Sequence, residues 1–343
     1  MLSGIRFPYA FTIALCSRGL LKNLPFTNRY WLGWFFLANS GLPMNPLMLT
    51  MLVSVCAVMR SLAGICDFLL GVCDTTRQGA LRLKLDKDGP FVSDDTKDAA
   101  PPWTTLRKLE SAALHIDADD HGGEEERWVR DLFAPGSSLG GARPKANVTS
   151  PDGSVWIAKF PSVKDDWDVG LKEYEASVLA RKAGLVVPET QCKKLSKAGT
   201  TFFSKRFDRN GDERVHYASA MTMIGAKDGE ENHSYLEIAE FIAAHSVDPI
   251  ADLHELWGRM AFSTIIGNTD DHLRNHGFLL TERGWRLSPM FDVNPNPHGG
   301  VSALDIGDLF DDSEYYRLTK KEAKQRYDEM YSLIKDLAPN FVR

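Results

Sequence analysis

Residues 265–280 read IIGNTDDHLRNHGFLL. Two adjacent carboxylates, two histidines and two asparagines stand between an apolar pair and an apolar triplet. A core helix or strand has no use for that polarity, because burying unpaired polar groups costs free energy. Asp270 and Asn275 are five residues apart, with His272 between them. In a loop of that spacing one carboxylate can accept a proton while a carboxamide oxygen takes a hard cation. The plainer reading is an Asp cap followed by an Asx turn. The second carboxylate, Asp271, is either a solvated neighbour or a support for the loop.

Other signals lie on both sides of this stretch. Downstream, RLSPMFDVNPNP places Asp292 after an apolar pair and ahead of a proline-rich loop, 17 residues beyond Asn275. That is where a phosphotransferase holds Mg2+, or an ordinary turn Asp. Upstream, VWIAKFPS puts Lys159 in an apolar strand, where an ammonium needs a partner or must reach out to solvent. The helix that follows carries Glu173 and Glu175, either of which could pair with it. GSSLGGARPK, residues 136–145, is rich in Gly and Ser and ends in Arg143 and Lys145. Such a turn can cradle phosphate on its backbone N–H groups or be a surface loop; it is neither a Walker A sequence nor a GxGxxG.

Pattern gives the surrounding architecture. GGARPKANVTSPDGSVWIAKF reads as two strands joined by Pro151-Asp152-Gly153. LKEYEASVLARKAGL reads as a helix with Leu171, Tyr174, Val178 and Leu179 on one face, ended by Gly184. TTFFSKRFDR reads as a strand. From about residue 216 onward helical spacing dominates, in YLEIAEFIAAHS and IADLHELWGRMAFSTIIG. A strand-rich part followed by a helix-rich part implies an α+β protein of two lobes with a cleft between them. The order of parts is Gly-rich loop, strand Lys, helix Glu, strand, D-x-H-x-x-N, then Asp. It is the order found in protein-kinase-like phosphotransferases.

Composition narrows the class. The chain has 343 residues, 43% hydrophobic and 25% charged, which suits a soluble globular protein of two lobes or domains. A net charge of −6 gives no overall attraction to nucleic acid. Of the five cysteines, Cys16, Cys56, Cys66 and Cys73 lie in the apolar N-terminal region and Cys192 far from them, with no CxxC pair. That fits a reducing cytoplasm better than a disulfide framework or zinc site. Residues 1–73 are apolar and aromatic. Their unbroken apolar runs, interrupted by Arg60 and Asp67, fall short of the roughly 20 residues a membrane span needs, so a membrane segment is not expected. Residues 91–127 are polar and acidic and read as a loop or helix linker.

At this point a resemblance becomes specific. GNTDDHLRNHGFLL closely resembles the catalytic loop of HipA-like serine/threonine kinases, the toxin half of bacterial toxin–antitoxin pairs. SPMFDVNP, KFPS, SKRFDR, GGARPKA and DTTRQGALRL are similar to other segments of that family. The likeness covers about residues 74–330.

The resemblance implies a protein-kinase-like fold with a β-rich N-lobe and a helical C-lobe. It implies a segment of uncertain status over 1–73, a remnant of the N-terminal subdomain and linker over 74–127, an N-lobe over 128–215 and a C-lobe over 216–343. It implies ATP and Mg2+ as cofactors. Asp270 becomes the catalytic base; Asn275 and Asp292 become the Mg2+ ligands. Lys159 would hold ATP phosphates, paired with Glu173 or Glu175, the family spacing favouring Glu173. Lys205 and Phe207 align with hinge positions that meet adenine through backbone groups. Gly140, Gly141 and Lys145 belong to the phosphate loop, and Ser138 aligns with a serine that family members phosphorylate on themselves. Implied partners are a cytoplasmic protein substrate, such as an aminoacyl-tRNA synthetase, and a small helix-turn-helix antitoxin that would carry most of the DNA contact. Residues 1–73 do not match the family's β-rich N-terminal subdomain. That departure motivates the alternative of a catalytically inactive relative that binds an antitoxin/DNA complex.

Overall fold

The computed structural model describes residues 72–84, 88–93, 100–118, 143–227, 229–230, 233–296, 300 and 302–342, together with the backbone of 11–14. The expected mixed α+β architecture is found. Strand β1 (Phe11–Ala14) pairs in parallel with β2 (Leu81–Lys84). Helix α1 (Leu106–Asp117) follows, and then β3 (Lys145–Thr149) and β4 (Val155–Lys159) form a hairpin. Its turn has the expected chemistry. Gly153 sits at φ +84°, and the Asp152 carboxylate accepts from the Ser154 N–H at 2.9 Å. The Ser150 hydroxyl, then the Ser154 hydroxyl and that N–H, hold the Asp152 carboxyl well below the usual carboxylate range.

With β5 (Thr190–Lys193) and β6 (Thr201–Lys205) the hairpin makes an antiparallel sheet of order β3-β4-β6-β5. Side chains alternate between the faces of a strand. Ala146, Val148, Trp156, Ala158 and Phe203 therefore share one face, where they pack with Leu106, Leu109 and Ala113 of α1 into a buried cluster. The same alternation turns Lys145 and Lys159, partners in register, away from that cluster.

Helix α2 (Val169–Lys182) packs beside β5 and β6. The Asp168 side chain caps it, accepting from Leu171 N at 3.2 Å and from Thr200 N and Oγ1 at 3.0 and 2.7 Å. Gly170 lies so close to the sheet that a Cβ there would sit 2.0 Å from the Thr200 carbonyl oxygen. The buried face of α2 is Gly170, Glu173, Ala176, Ser177, Leu179 and Ala180, rather than the predicted stripe, of which only Leu179 is buried. Small side chains let the helix approach the sheet closely, so its core face is not its most apolar one.

After the short hairpin β7 (Arg209–Asn210) and β8 (Glu213–Arg214), a second sheet has the order β11-β10-β9, from β9 (His216–Ser219), β10 (Gly277–Thr281) and β11 (Gly284–Leu287). This sheet interrupts the helix-dominated region expected from residue 216. The helices are α3 (Ala220–Ile224), α4 (Tyr235–His245), α5 (Pro249–Ile266) and α6 (Lys320–Leu337). Helix α5 has Asp248 as cap, Pro249 in its first turn and left-handed Gly267 at its end, the usual asymmetry of start and stop signals. Trp257, Phe262, Ile238, Ile242 and Phe278 fill the core beneath. Arg259 is buried among them, donating to Glu255 at 2.9 Å and to the Ser288 carbonyl at 2.6 Å. That second bond ties the segment leading to Asp292 onto α5.

The stretch before β2 is fastened to the region after β6 by buried charge. Arg206 donates to the Thr76 carbonyl at 2.6 Å, to Asn147 Oδ1 at 2.9 Å and to Asp208 at 2.6 Å, while the Gly79 N–H donates to Asp208 at 2.6 Å. Among the described residues no helix is long and apolar enough to cross a membrane. Apart from residues 11–14 and 72–73, the apolar N-terminal segment lies outside the described residues, as do residues 94–99 and 119–127 of the polar linker.

Candidate active site

Lys159 is the last residue of β4, and its ammonium lies between two carboxylates. Nζ is 2.5 Å from Glu173 Oε1 and 2.6 Å from Asp292 Oδ1. Of the two glutamates offered by α2, Glu173 makes the contact; Glu175 pairs instead with Lys172 at 2.7 Å on a half-exposed surface. The reason is the helix face. Glu173 points inward beside Ala176 and Ser177 and is 2% exposed. Burial alone would strip the proton from Lys159, but the Asp292 and Glu173 charges outweigh it and hold the ammonium protonated. Burial pushes the Glu173 carboxyl up, against the pull of Lys159. At Asp292, burial is overcome by Lys159, Lys145 and the Asn294 amide, which keep its carboxyl well below the usual range.

Asp292 has φ +59°, a left-handed backbone uncommon for a residue with a side chain. Asn294 Nδ2 donates to its Oδ1 at 2.8 Å. Two residues on, Asn296 donates from its main chain to the Gly267 carbonyl at 3.0 Å and from its side chain to Thr269 Oγ1 at 3.0 Å. The loop after Asp292 is thereby sewn to the residues just ahead of Asp270.

Asp270 is exposed and Asn275 is buried. Asn275 Nδ2 donates to the Asp270 carbonyl at 2.8 Å and its N–H to the His272 carbonyl at 2.8 Å, closing the loop on itself. An amide whose NH2 is spent this way presents its carbonyl oxygen to a cation. Lys145 faces the same side as Lys159, and burial together with the Lys159 charge lowers its pKa. Asp292 therefore accompanies two ammonium groups, and Asn275 offers a second hard oxygen from the loop to which the Asp292 segment is tied. Among the described residues no group of three or more His, Cys, Asp or Glu forms a metal cage. Mg2+ needs none, since it is commonly held by one or two protein oxygens plus phosphate and water.

At the other end of β6 the Lys205 N–H is already donated to the Glu189 carbonyl at 2.9 Å, and its ammonium lies 3.2 Å from the Glu189 carboxylate. That amide is not free for a base. Phe207 instead joins Tyr217 and Phe291 in a ring cluster, with centroids 5.8 and 5.7 Å from Phe207. Phe291 adjoins Asp292, so the rings border the Lys159 site. Ser138, Gly140 and Gly141 lie outside the described residues. Arg143, where the description resumes, forks onto Asp165 with both contacts at 2.6 Å.

Asp271 is not a solvated neighbour of Asp270. It is 3% exposed, accepts hydrogen bonds from Tyr235 Oη and, at 3.1 Å, from Ser263 Oγ, and lies 2.9 Å from His276 Nε2. Burial alone would raise its carboxyl; His276 and the two hydroxyl donors overcome that and keep it low. The sequence signal was the second histidine of DDHLRNH, placed five residues after the second aspartate.

The fold can be set beside known proteins. A chain of the HipA, HipB and operator DNA complex of the Shewanella oneidensis MR-1 toxin–antitoxin system superposes with a TM-score of 0.58. The match has 16% identity and covers 88% of this chain and 78% of that one, and the two share a fold. A protein of Haemophilus influenzae named "Putative kinase" is 28% identical over 201 residues, which is 49% of this chain and 56% of that protein. "Putative kinase Y4dM" of Sinorhizobium fredii is 30% identical over 155 residues, 41% of this chain and 37% of that protein. The chain spans about half or less of these relatives' length. The family model described as HipA-like C-terminal domain matches residues 137–342. That is more than half of the chain, and the protein belongs to the HipA-like family.

Proposed function

We propose that this protein is an ATP- and Mg2+-dependent serine/threonine kinase, the growth-inhibiting toxin of a toxin–antitoxin pair. The strand-rich part through β6 is its N-lobe and the helical part its C-lobe. The observation that carries the reading is the Lys159 ammonium held between Glu173 and Asp292. Asp292 is in turn bound to the loop in which Asn275 closes on Asp270.

Bound Mg·ATP supplies the transferable γ-phosphoryl group and a cation that neutralises its oxygens. Lys159 and Lys145 hold the phosphates, and Glu173 keeps Lys159 aimed. Asp292 and the Asn275 carboxamide oxygen hold the cation. Exposed Asp270 accepts the proton of the attacking hydroxyl. Phe207, Tyr217 and Phe291 line the adenine side. The acceptor is a serine or threonine of a cytoplasmic protein, an aminoacyl-tRNA synthetase being the first to try, and Ser138 of the chain itself. A helix-turn-helix antitoxin is the partner that brings DNA.

Radiolabelled ATP with the purified full chain and Mg2+ tests this. The expected result is label on Ser138, lost by about 100-fold or more in Asp270→Asn while ATP affinity stays within a few-fold. No label together with no ATP-dependent rise in melting temperature would sink the reading.

A further inference from the structure

The buried set around Asp271 has no part in the chemistry just described, yet it touches both ends of the loop that does. Asp271 directly follows Asp270, and His276 directly follows Asn275. Asp271 Oδ1 and His276 Nε2 are 2.9 Å apart, so one contact spans the loop from its first turn to its last residue. The other oxygen of Asp271 accepts from Tyr235, in the first turn of α4, and from Ser263, near the end of α5. The Tyr235 ring stands edge-on to the His276 ring, with centroids 5.3 Å apart at 72°.

The main chain around this set is also secured. The Asp271 carbonyl accepts from Leu304 N at 3.1 Å, and the His276 carbonyl from Ala220 N at 2.9 Å. A carboxylate this buried is costly unless every lone pair is met. Here one oxygen is met by hydroxyls from α4 and α5, and the other lies 2.9 Å from His276 Nε2 at the far end of its own loop. Asp270 itself is exposed. Its placement depends on the residue after it.

We propose that Asp271 and His276 are a staple, anchored by Tyr235 and Ser263, that fixes the position of Asp270 relative to Asn275. They are positioning residues and touch no substrate. The inference deepens the kinase reading and rests on it for the catalytic consequence, but the mechanical claim can be tested without catalysis.

Amide hydrogen exchange on the full chain decides the mechanical claim. In Asp271→Asn, and separately in His276→Phe, peptides covering 265–280 should exchange at least about tenfold faster, with peptides from β3, β4 and α6 unchanged. Unchanged exchange at 265–280 in either folded variant, or a rise spread evenly over the chain, overturns the staple. Steady-state phosphoryl transfer then separates positioning from bulk stability. For each folded variant kcat should fall about tenfold or more with KM for ATP within about threefold, and the double variant should lose little beyond the worse single one. Wild-type kcat in a variant with loosened exchange would overturn the positioning role. A wild-type chain that transfers no phosphate would count against the kinase reading alone, because the exchange result stands without it.

Discussion

Glu173→Gln removes one charge from the more buried of the two ion pairs of Lys159 and leaves the shape nearly intact. The Glu173 side chain is 3% exposed and that of Lys159 is 11% exposed, with 2.5 Å between Oε1 and Nζ. At an effective dielectric of about 20, charges that close attract by about 6–7 kcal/mol before desolvation is subtracted. Breaking a buried pair from one side typically costs about 3–5 kcal/mol. Two features reduce that here. Glutamine still accepts a hydrogen bond from the ammonium, and Asp292 still neutralises it at 2.6 Å. We expect a loss of about 2–3 kcal/mol in equilibrium urea unfolding, with the slope unchanged. Glu175→Gln is the control, because its pair with Lys172 has side chains 38% and 41% exposed. An exposed pair of that kind should shift stability by no more than about 0.5 kcal/mol. ATP affinity should fall in the Glu173 variant and hold in the Glu175 variant. Equal effects of the two changes, or a Glu173→Gln chain as stable as wild type, would refute the reasoning.

Further outcomes follow from the same geometry. His216 is half-buried, and desolvation pushes its pKa down to about 4 from 6.5. A depressed histidine leaves the unfolded chain binding more protons between those values, so stability falls as pH drops from 6.5 towards 4 and levels off below. The loss should be about 2 kcal/mol at pH 5, and urea unfolding of His216→Phe should show that component gone. Gly277→Ala would place a Cβ 2.3 Å from the Tyr217 ring and should cost about 1–3 kcal/mol by the same assay, relieved by adding Tyr217→Leu. Asp292→Ala should abolish the Mg2+ dependence of ATP binding in calorimetry while Asp270→Asn retains it; the reverse pattern would exchange their roles. Arg206→Lys loses the fork that joins Thr76, Asn147 and Asp208, and limited proteolysis should then cut near residue 79 first.

The class of fold was legible because its signals are local. Pro151-Asp152-Gly153 between alternating runs signals a hairpin, and β3 and β4 form one there. Asp248-Pro249 and Gly267 mark the ends of α5 by cap chemistry alone. The sheet β9-β10-β11 was not legible, since β9 lies some 60 residues from its partner β10 and a four-residue strand carries little period of its own. The face of α2 was misread for a related reason. Close packing against Thr200 selects small residues, and these carry no hydrophobic signature.

The chemistry divides in the same way. Residue types and chain order are properties of the sequence, and they sufficed to nominate Asp270, Asn275, Asp292 and Lys159. Which glutamate meets Lys159 depends on how α2 is rotated against the sheet, and that is decided by the fit of Gly170 and Ala176 beneath it. The two adjacent aspartates of GNTDDHLRNH differ by one position in sequence and by nearly everything in surroundings. One is exposed and the other is held by Tyr235, Ser263 and His276. A carboxylate's role follows from the groups and the water around it, and only the packing of α4 and α5 under the loop assigns those.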